Sequence, residues 1–179
     1  MNTLISNYIV IVAISGVLNA LLAILAYYKE TDFAGVKSFI VISCTSAIYT
    51  FGFALELSSN SLEEISLWLK IEYLGMPFIA PSSLIMVLHF VGLERLITRG
   101  KVTALYTIPF ITVLLVWTNE YHHLFYRSVY LRTNTPAPLV DIVMGPWYIV
   151  NGSFTFGCML ASTLLMLLQW NRMKRVYRR

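Results

Sequence analysis

The residues best suited to chemistry in this chain are two adjacent histidines and an acid just before them. His122 and His123 follow Glu120 closely, and imidazole and carboxylate groups are donors that Zn²⁺ binds. Adjacent side chains point in different directions on a helix or a strand, so the histidine pair chelates one ion poorly. We therefore expect no metal and no cofactor, and we interpret these residues as part of a polar segment above a helix bundle.

Two glutamates and one asparagine lie within or beside apolar runs, where a polar side chain is costly unless it has a partner. Glu56 and Glu72 fall near the ends of two such runs, and Asn151 falls inside the last run. Ion pairing or snorkelling to the membrane surface is the simpler interpretation of the acids, and a hydrogen bond between helices is the simpler one of Asn151. Contact with a ligand is the alternative for all three. The candidate basic partners are Lys70, Arg127 and Arg132.

The remaining sequence has no pattern typical of an enzyme. It contains no glycine-rich phosphate loop, dinucleotide fingerprint, HExxH motif or nucleophile motif. We predict no catalytic residue in this chain. We attribute the net charge of +4 to the Lys and Arg residues that mark the cytoplasmic side of a membrane protein. We expect no nucleic-acid partner.

The elements that must position these residues are membrane helices. The chain is 58% hydrophobic and 12% charged, whereas soluble domains have about 25% charged residues. A helix needs about 20 apolar residues to cross the hydrocarbon, and lipid-exposed backbone must satisfy its own hydrogen bonds. The sequence therefore predicts an all-α, polytopic membrane bundle of five helices. Their approximate ranges are 4–28, 38–57, 71–93, 102–118 and 147–170.

The distribution of basic residues predicts the orientation of this bundle. Ten of the 13 Lys and Arg residues fall in one set of ends and loops, and that side is expected to be cytoplasmic. The N-terminus is then outside and the C-terminus is in the cytoplasm. The long polar segment between the fourth and fifth helices also lies outside, and we expect recognition to take place there.

Glycine and proline residues mark the positions where the helices are expected to bend. Gly75, Pro77 and Pro81 lie in the third apolar run, and proline inside a helix removes a backbone bond and kinks it. Gly145 and Pro146 precede the fifth helix, where proline is tolerated. Such kinks shape a pocket or a moving joint in some proteins and are passive in others, and the sequence leaves both open.

Several short segments follow one another along the chain in a fixed order. They are residues 68–75, Pro77, Pro81, residues 89–92, residues 118–119, residues 122–125 and residues 145–148. Taken together, these segments resemble the N-terminal seven-helix sensor region of bacterial histidine kinases, a module that also precedes diguanylate cyclase domains. The positions carried over as motif matches are Asn119, His122, Gly145 and Pro146, and we predict that Asn119 and His122 take part in ligand or signal sensing.

This resemblance implies a sensory input domain that passes a ligand or membrane signal to cytoplasmic output domains. It implies a multi-pass protein of the bacterial cytoplasmic (inner) membrane that works as a homodimer. The expected partners are membrane lipids and an unidentified small-molecule or membrane stimulus. We take residues 1–179 as one sensor domain, truncated before a sixth and a seventh helix and the output domains. The full-length protein would be a sensor histidine kinase or a diguanylate cyclase.

A small transporter or transporter subunit is the alternative function. That class predicts charged or discontinuous helix sites near the middle of the membrane, usually with an internal repeat. The polar residues within the apolar runs are few and scattered, so the sequence favours the sensor.

Overall fold

The computed structural model describes residues 3–29, 34–132 and 140–176. Five helical segments of this part are long and apolar enough to cross a membrane, which confirms the predicted multi-pass helical bundle. In chain order the elements are α1 (Thr3–Tyr28), α2 (Val36–Glu56), α3 (Leu62–Glu72), α4 (Met76–Phe90), a 3-10 turn (Glu94–Leu96), α5 (Arg99–Trp117), α6 (Asn119–His122), β1 (Tyr126–Leu131), β2 (Val140–Met144) and α7 (Pro146–Val176). The helices α3 and α4 together form the third crossing, Leu62–Phe90.

The third crossing is the centre of the bundle. Half of the residues (50%) in its most apolar stretch are buried, against 17% in the corresponding stretches of α1, α5 and α7. The helix α4 packs against α2, α5 and α7, and α2 also packs against α1 and α3. The peripheral helices expose rows of leucine, isoleucine and valine side chains, as expected for helices whose outer faces contact lipid.

The third crossing begins earlier than the sequence indicates, at Leu62 instead of about residue 71. The Ser61 hydroxyl accepts the Glu64 N–H at 3.2 Å, and the Glu64 carboxylate accepts the Asn60 N–H at 3.0 Å. This reciprocal arrangement is typical of a helix N-terminus. Because the first turn is polar, it hides the start of the crossing in a search for apolar runs.

The third crossing is interrupted at residues 73–75. The helix α4 restarts at Met76 with Pro77 in its first turn, where a missing N–H leaves no bond unmade. Pro77 therefore starts a helix, and of the two prolines in this crossing Pro81 is the one inside the helix. Gly75 lies directly against the carbonyl oxygen of Thr45 on α2, so a Cβ at this position would overlap that oxygen.

The segment between α5 and α7 is more ordered than a polar loop. It forms α6 and an antiparallel hairpin of β1 and β2, in which Leu131 pairs with Val140 and Tyr126 pairs with Met144. The register shifts between Tyr126 and Ser128. The proline-containing part of the polar segment, residues 133–139, lies outside the described residues. We call residues 118–132 and 140–147 the cap.

Candidate functional site

Asn119 organises the cap through its side-chain amide. Its Oδ1 accepts the N–H groups of Phe125 and Tyr126 at 2.9 and 3.0 Å, and its Nδ2 donates to the Tyr126 carbonyl at 2.9 Å. One side chain thus fixes the backbone that leads from α6 into β1. The sequence predicted a sensing role for Asn119, and the structure gives its amide three bonds to the cap's own backbone.

His122 holds the same turn from the other side. Its Nδ1 accepts the Leu124 N–H at 3.0 Å, and its Nε2 lies 3.0 Å from Thr118 Oγ1. Thr118 donates its own hydroxyl hydrogen to the Leu114 carbonyl at 2.6 Å, so its oxygen is free to accept a hydrogen bond from Nε2. Both ring nitrogens are engaged, which leaves neither available to a metal ion. The next residue, His123, ends α6 in the left-handed conformation with φ 52°.

Gly145 closes the cap by close backbone contact. Its N–H donates to the Phe125 carbonyl at 2.8 Å, and the Trp147 N–H donates to the Leu124 carbonyl at 3.0 Å. A Cβ on Gly145 would overlap the Leu124 carbonyl group. Only glycine fits this contact, so the residue that the sequence marked as a kink is a docking point between the two halves of the cap.

A buried polar chain continues from the cap into the bundle. Trp147 donates from Nε1 to Thr112 Oγ1 at 2.9 Å, and Thr112 donates to Asn151 Oδ1 at 3.2 Å. Thr112 and Asn151 are both buried. Asn151 therefore links α7 to α5. Asn151 stands out in the sequence as an amide inside an apolar run. Thr112 does not stand out, because threonine is common in membrane helices and no motif includes this residue.

Aromatic side chains join the underside of the cap to the interruption in the third crossing. The ring of Phe125, which is fully buried, lies 4.9 Å from that of Tyr73 and 5.3 Å from that of Tyr148. Tyr126 packs edge-on against Tyr73 at 6.1 Å. Burial raises the pKa of Tyr126 above its ordinary range, so its hydroxyl stays protonated. That hydroxyl has no hydrogen-bond partner within the part of the chain that the structure describes.

Glu56 and Glu72 are brought together just below this aromatic cluster. Glu56 is 7% exposed and Glu72 is 3% exposed, and the two side chains lie on the facing sides of α2 and α3, because Gly52, one turn before Glu56, packs against Glu72. Gly52 on α2 makes room for the pair, since a Cβ there would lie 2.6 Å from Glu72 Cγ. The acids that the sequence named separately are one site, which joins the end of α2 to the end of α3.

The simpler interpretation of these acids was ion pairing or snorkelling to the membrane surface. Neither acid forms an ion pair among the described residues, and both side chains are buried. Lys70 binds Glu120 with an Nζ–Oε1 distance of 2.6 Å, and Arg132 binds Asp141 across the hairpin. The reason lies in helix geometry. Lys70 and Glu72 are two positions apart on α3, and such side chains leave a helix in different directions.

A cavity of about 180 Å³ lies between α3, the end of α5 and the cap. Its polar lining includes Lys70, Asn119, Glu120, His123, Arg127 and Ser128. Ligand pockets are commonly about 300–1,000 Å³, so this space suits only a small molecule. It is bordered by the Lys70–Glu120 ion pair, in which the hydrogen bond from the ammonium lowers the pKa of the Glu120 carboxyl.

The ion pair predicts a small effect of pH on the cap. The pKa of Glu120 is lowered in the folded protein, so the contribution of the pair is present above the ordinary Glu range and is lost as the pH falls through the lowered pKa. Because Glu120 is exposed, we expect Glu120→Gln to change the melting temperature only slightly and more at low salt than at high salt. A large, salt-independent loss would contradict this expectation.

The fold and the site define a multi-pass membrane domain whose cap is packed onto its central, interrupted crossing. Among the described residues, no group of three or more His, Cys, Asp or Glu side chains could hold a metal ion. The chain belongs to the family described as the N-terminal 7TM region of histidine kinase, whose model matches residues 11–179. This confirms the resemblance found in the sequence. Comparison with curated proteins and with solved structures found no match.

Family membership assigns the chain to the membrane sensor part of histidine kinases, which is not a catalytic region. The residues that the family resemblance supplied, Asn119, His122, Gly145 and Pro146, all lie in the cap or at its junction with α7. They hold the cap in shape. The buried acids lie outside that motif set and became one site only through the fold.

Proposed function

We propose that this chain is the sensory input domain of a bacterial receptor of the histidine kinase type. It resides in the cytoplasmic membrane with the cap outside, and it passes a small-molecule or membrane stimulus to cytoplasmic output domains. The observation that carries the proposal is the contact of Phe125 and Tyr126 with Tyr73. This contact ties the cap to the interruption in the most buried crossing.

The interruption gives a stimulus a route through the bundle. A stimulus acts by binding two arrangements of the protein with different affinity. If it favours a shifted cap, the contact at Tyr73 moves the start of α4 relative to α3. The helix α4 packs against α2, α5 and α7, so the shift reaches three other crossings and the opposite face of the membrane.

We also propose that the receptor acts as a homodimer. The described faces of α1, α5 and α7 are covered with exposed apolar side chains, among them Leu25 at 64% and Leu168 at 77%. Such faces suit lipid or a second copy of the chain. Crosslinking of cysteines placed on these helices in native membranes measures which face meets a partner.

The proposed transmission from the cap to the third crossing predicts a strong effect of Phe125→Ala in the full-length receptor. Burying a large apolar side chain is worth about 1.5–3 kcal/mol, so this change loosens the cap from Tyr73. We expect the basal output of a transcriptional reporter to change several-fold, with unchanged membrane insertion in a topology assay. Phe156→Ala is the matched control, because Phe156 on α7 is 75% exposed. Normal insertion with unchanged output would contradict the proposed function.

A transporter is the second candidate, and one observation favours it. The third crossing is discontinuous and carries Glu72, a buried acid that lies beside Glu56 of α2, and transporter sites are typically formed by discontinuous helices. Proteoliposomes containing the purified chain discriminate the two functions. The sensor proposal expects no proton or solute flux, whereas a flux abolished by Glu72→Gln would establish transport.

A further inference from the structure

The buried acid pair has no basic partner among the described residues. The described ion pairs are those of Lys70, His89 and Arg132, and none includes Glu56 or Glu72. Among the described residues, the ionisable groups near the pair include three tyrosines: Tyr49 on α2, Tyr73 at the interruption and Tyr126 on β1. Two more tyrosines lie behind them, Tyr8 on α1 beside Tyr49 and Tyr148 on α7 beside Tyr73 and Tyr126.

Two carboxyl groups in this setting must hold a proton. Gly52 and Glu56 lie one turn apart on the same face of α2, and Gly52 packs against Glu72, so the two buried carboxyl groups are neighbours. An ionised carboxylate only accepts hydrogen bonds, so the two groups can bond to each other only if one of them carries a proton. Two adjacent negative charges, both buried and without a cation, would be strongly unfavourable. Gly52 leaves little space beside Glu72, so the close approach is built into the packing of α2 on α3.

The Tyr126 hydroxyl is a hydrogen-bond donor that Glu72 can use after the proton is lost. The hydroxyl of Tyr126 is buried, lacks a partner within the described ranges and lies near Glu72. The Oε1 atom of Glu72 is likewise buried and without a donor from the described residues. A Glu72 carboxylate can accept this hydroxyl, and Tyr126 belongs to the cap.

We propose that Glu56 and Glu72 form a proton-binding site that shares one proton at neutral pH and thereby holds α2 to α3. When the proton leaves for solvent, the two carboxylates repel each other, and Glu72 turns to the Tyr126 hydroxyl. Loss of the proton thus separates α2 from α3 and shifts the cap. The ligand class is the proton itself. Its effect on signalling rests on the proposed function, but the binding site does not.

Infrared difference spectroscopy of the purified chain in lipid vesicles tests the shared proton directly. We expect a protonated-carboxyl C=O band at neutral pH that disappears on alkalinisation and that is absent from the double variant E56Q/E72Q. The control is Glu63→Gln, an exposed acid in the first turn of the same helix α3, which should leave the band unchanged. Failure to find a carboxyl band that depends on Glu56 and Glu72 would overturn the proposal.

Thermal unfolding over pH provides a second measurement. The unfolded chain releases these protons above the ordinary Glu range, whereas the folded site keeps one, so the stability that the proton provides falls progressively as the pH rises above that range, until the folded site also loses its proton. We expect the melting temperature of the wild-type chain to fall by at least about 3 °C more than that of E56Q/E72Q between neutral and alkaline pH. The double variant keeps every tyrosine, so tyrosine ionisation affects both proteins alike. Parallel pH curves would overturn the proposal.

These readouts separate the site from its role in the receptor. Neither the infrared band nor the unfolding curve depends on an output domain, so both remain valid if the Phe125 test fails. In the full receptor we expect reporter output to vary with external pH in the wild type and to be flat in E56Q/E72Q. Equal pH dependence in the two receptors would overturn the link between the proton site and signalling.

Discussion

Replacing Asn119 with alanine is expected to open the cap and abolish the response of the full receptor. The change removes three hydrogen bonds to the backbone of Phe125 and Tyr126. Each such bond contributes about 0.5–1.5 kcal/mol, so we expect a loss of about 2–4 kcal/mol. Hydrogen exchange at the Phe125 and Tyr126 amides should then accelerate by about 30- to 1,000-fold, while membrane insertion is retained.

Two companion variants make this result specific. Asn119→Asp keeps the oxygen that accepts two N–H groups but loses the donor to the Tyr126 carbonyl, so its exchange should fall between the two extremes. Asn60→Ala is the matched control, because Asn60 bonds to Glu64 through its backbone N–H and its side chain is exposed. Wild-type exchange rates in the Asn119→Ala cap would show that the amide does not hold it. Adding His122→Ala should not restore signalling.

Gly145→Ala is expected to be the most damaging single-methyl addition in the cap. The new Cβ would overlap the Leu124 carbonyl and lie 2.8 Å from the Phe125 carbonyl oxygen. Both carbonyls accept bonds that close the cap, so relief of the overlap must break them. Forcing an extra carbon into a close-packed site costs about 1–3 kcal/mol, which corresponds to a fall in melting temperature of about 2–10 °C for a chain of this size.

The matched control for Gly145→Ala is Gly152→Ala on α7. A Cβ there meets nothing within 4 Å, and alanine favours a helix interior over glycine by up to about 1 kcal/mol. Its melting temperature should be equal to or slightly above that of the wild type. Equal melting temperatures for the wild type and Gly145→Ala would refute the close-contact explanation of this glycine.

The crossings could be predicted from the sequence because length and apolarity decide them. Each helix must cover the hydrocarbon and satisfy its own backbone, and both demands are visible in a single chain. The start of α3 was not predicted, because Glu63 and Glu64 make its first turn polar. The hairpin was not predicted, because its residues were interpreted as a polar loop. Residues 126–131 and 140–144 are rich in β-branched and aromatic types, which favour strands.

The site could be predicted only as separate residues. Glu56 and Glu72 stand out as acids in apolar runs, but their pairing depends on which faces of α2 and α3 meet, and one sequence does not contain that information. Asn119 and His122 were found through the family motif, which identifies positions without giving their partners. Their bonds to the backbone of residues 124–126 depend on the turn at His123. Nothing in the sequence predicts the left-handed conformation of that residue.

The unbroken length of α7 has a mechanical consequence. Its 31 residues make a rod about 46 Å long, whereas the hydrocarbon is about 30 Å thick. The rod starts at the cap, where Trp147 is anchored to Thr112, and carries no internal interruption. A tilt of about 5° at its first turn therefore sweeps its far end through about 4 Å. The helix is a lever that turns a slight displacement at one membrane surface into a larger one at the other.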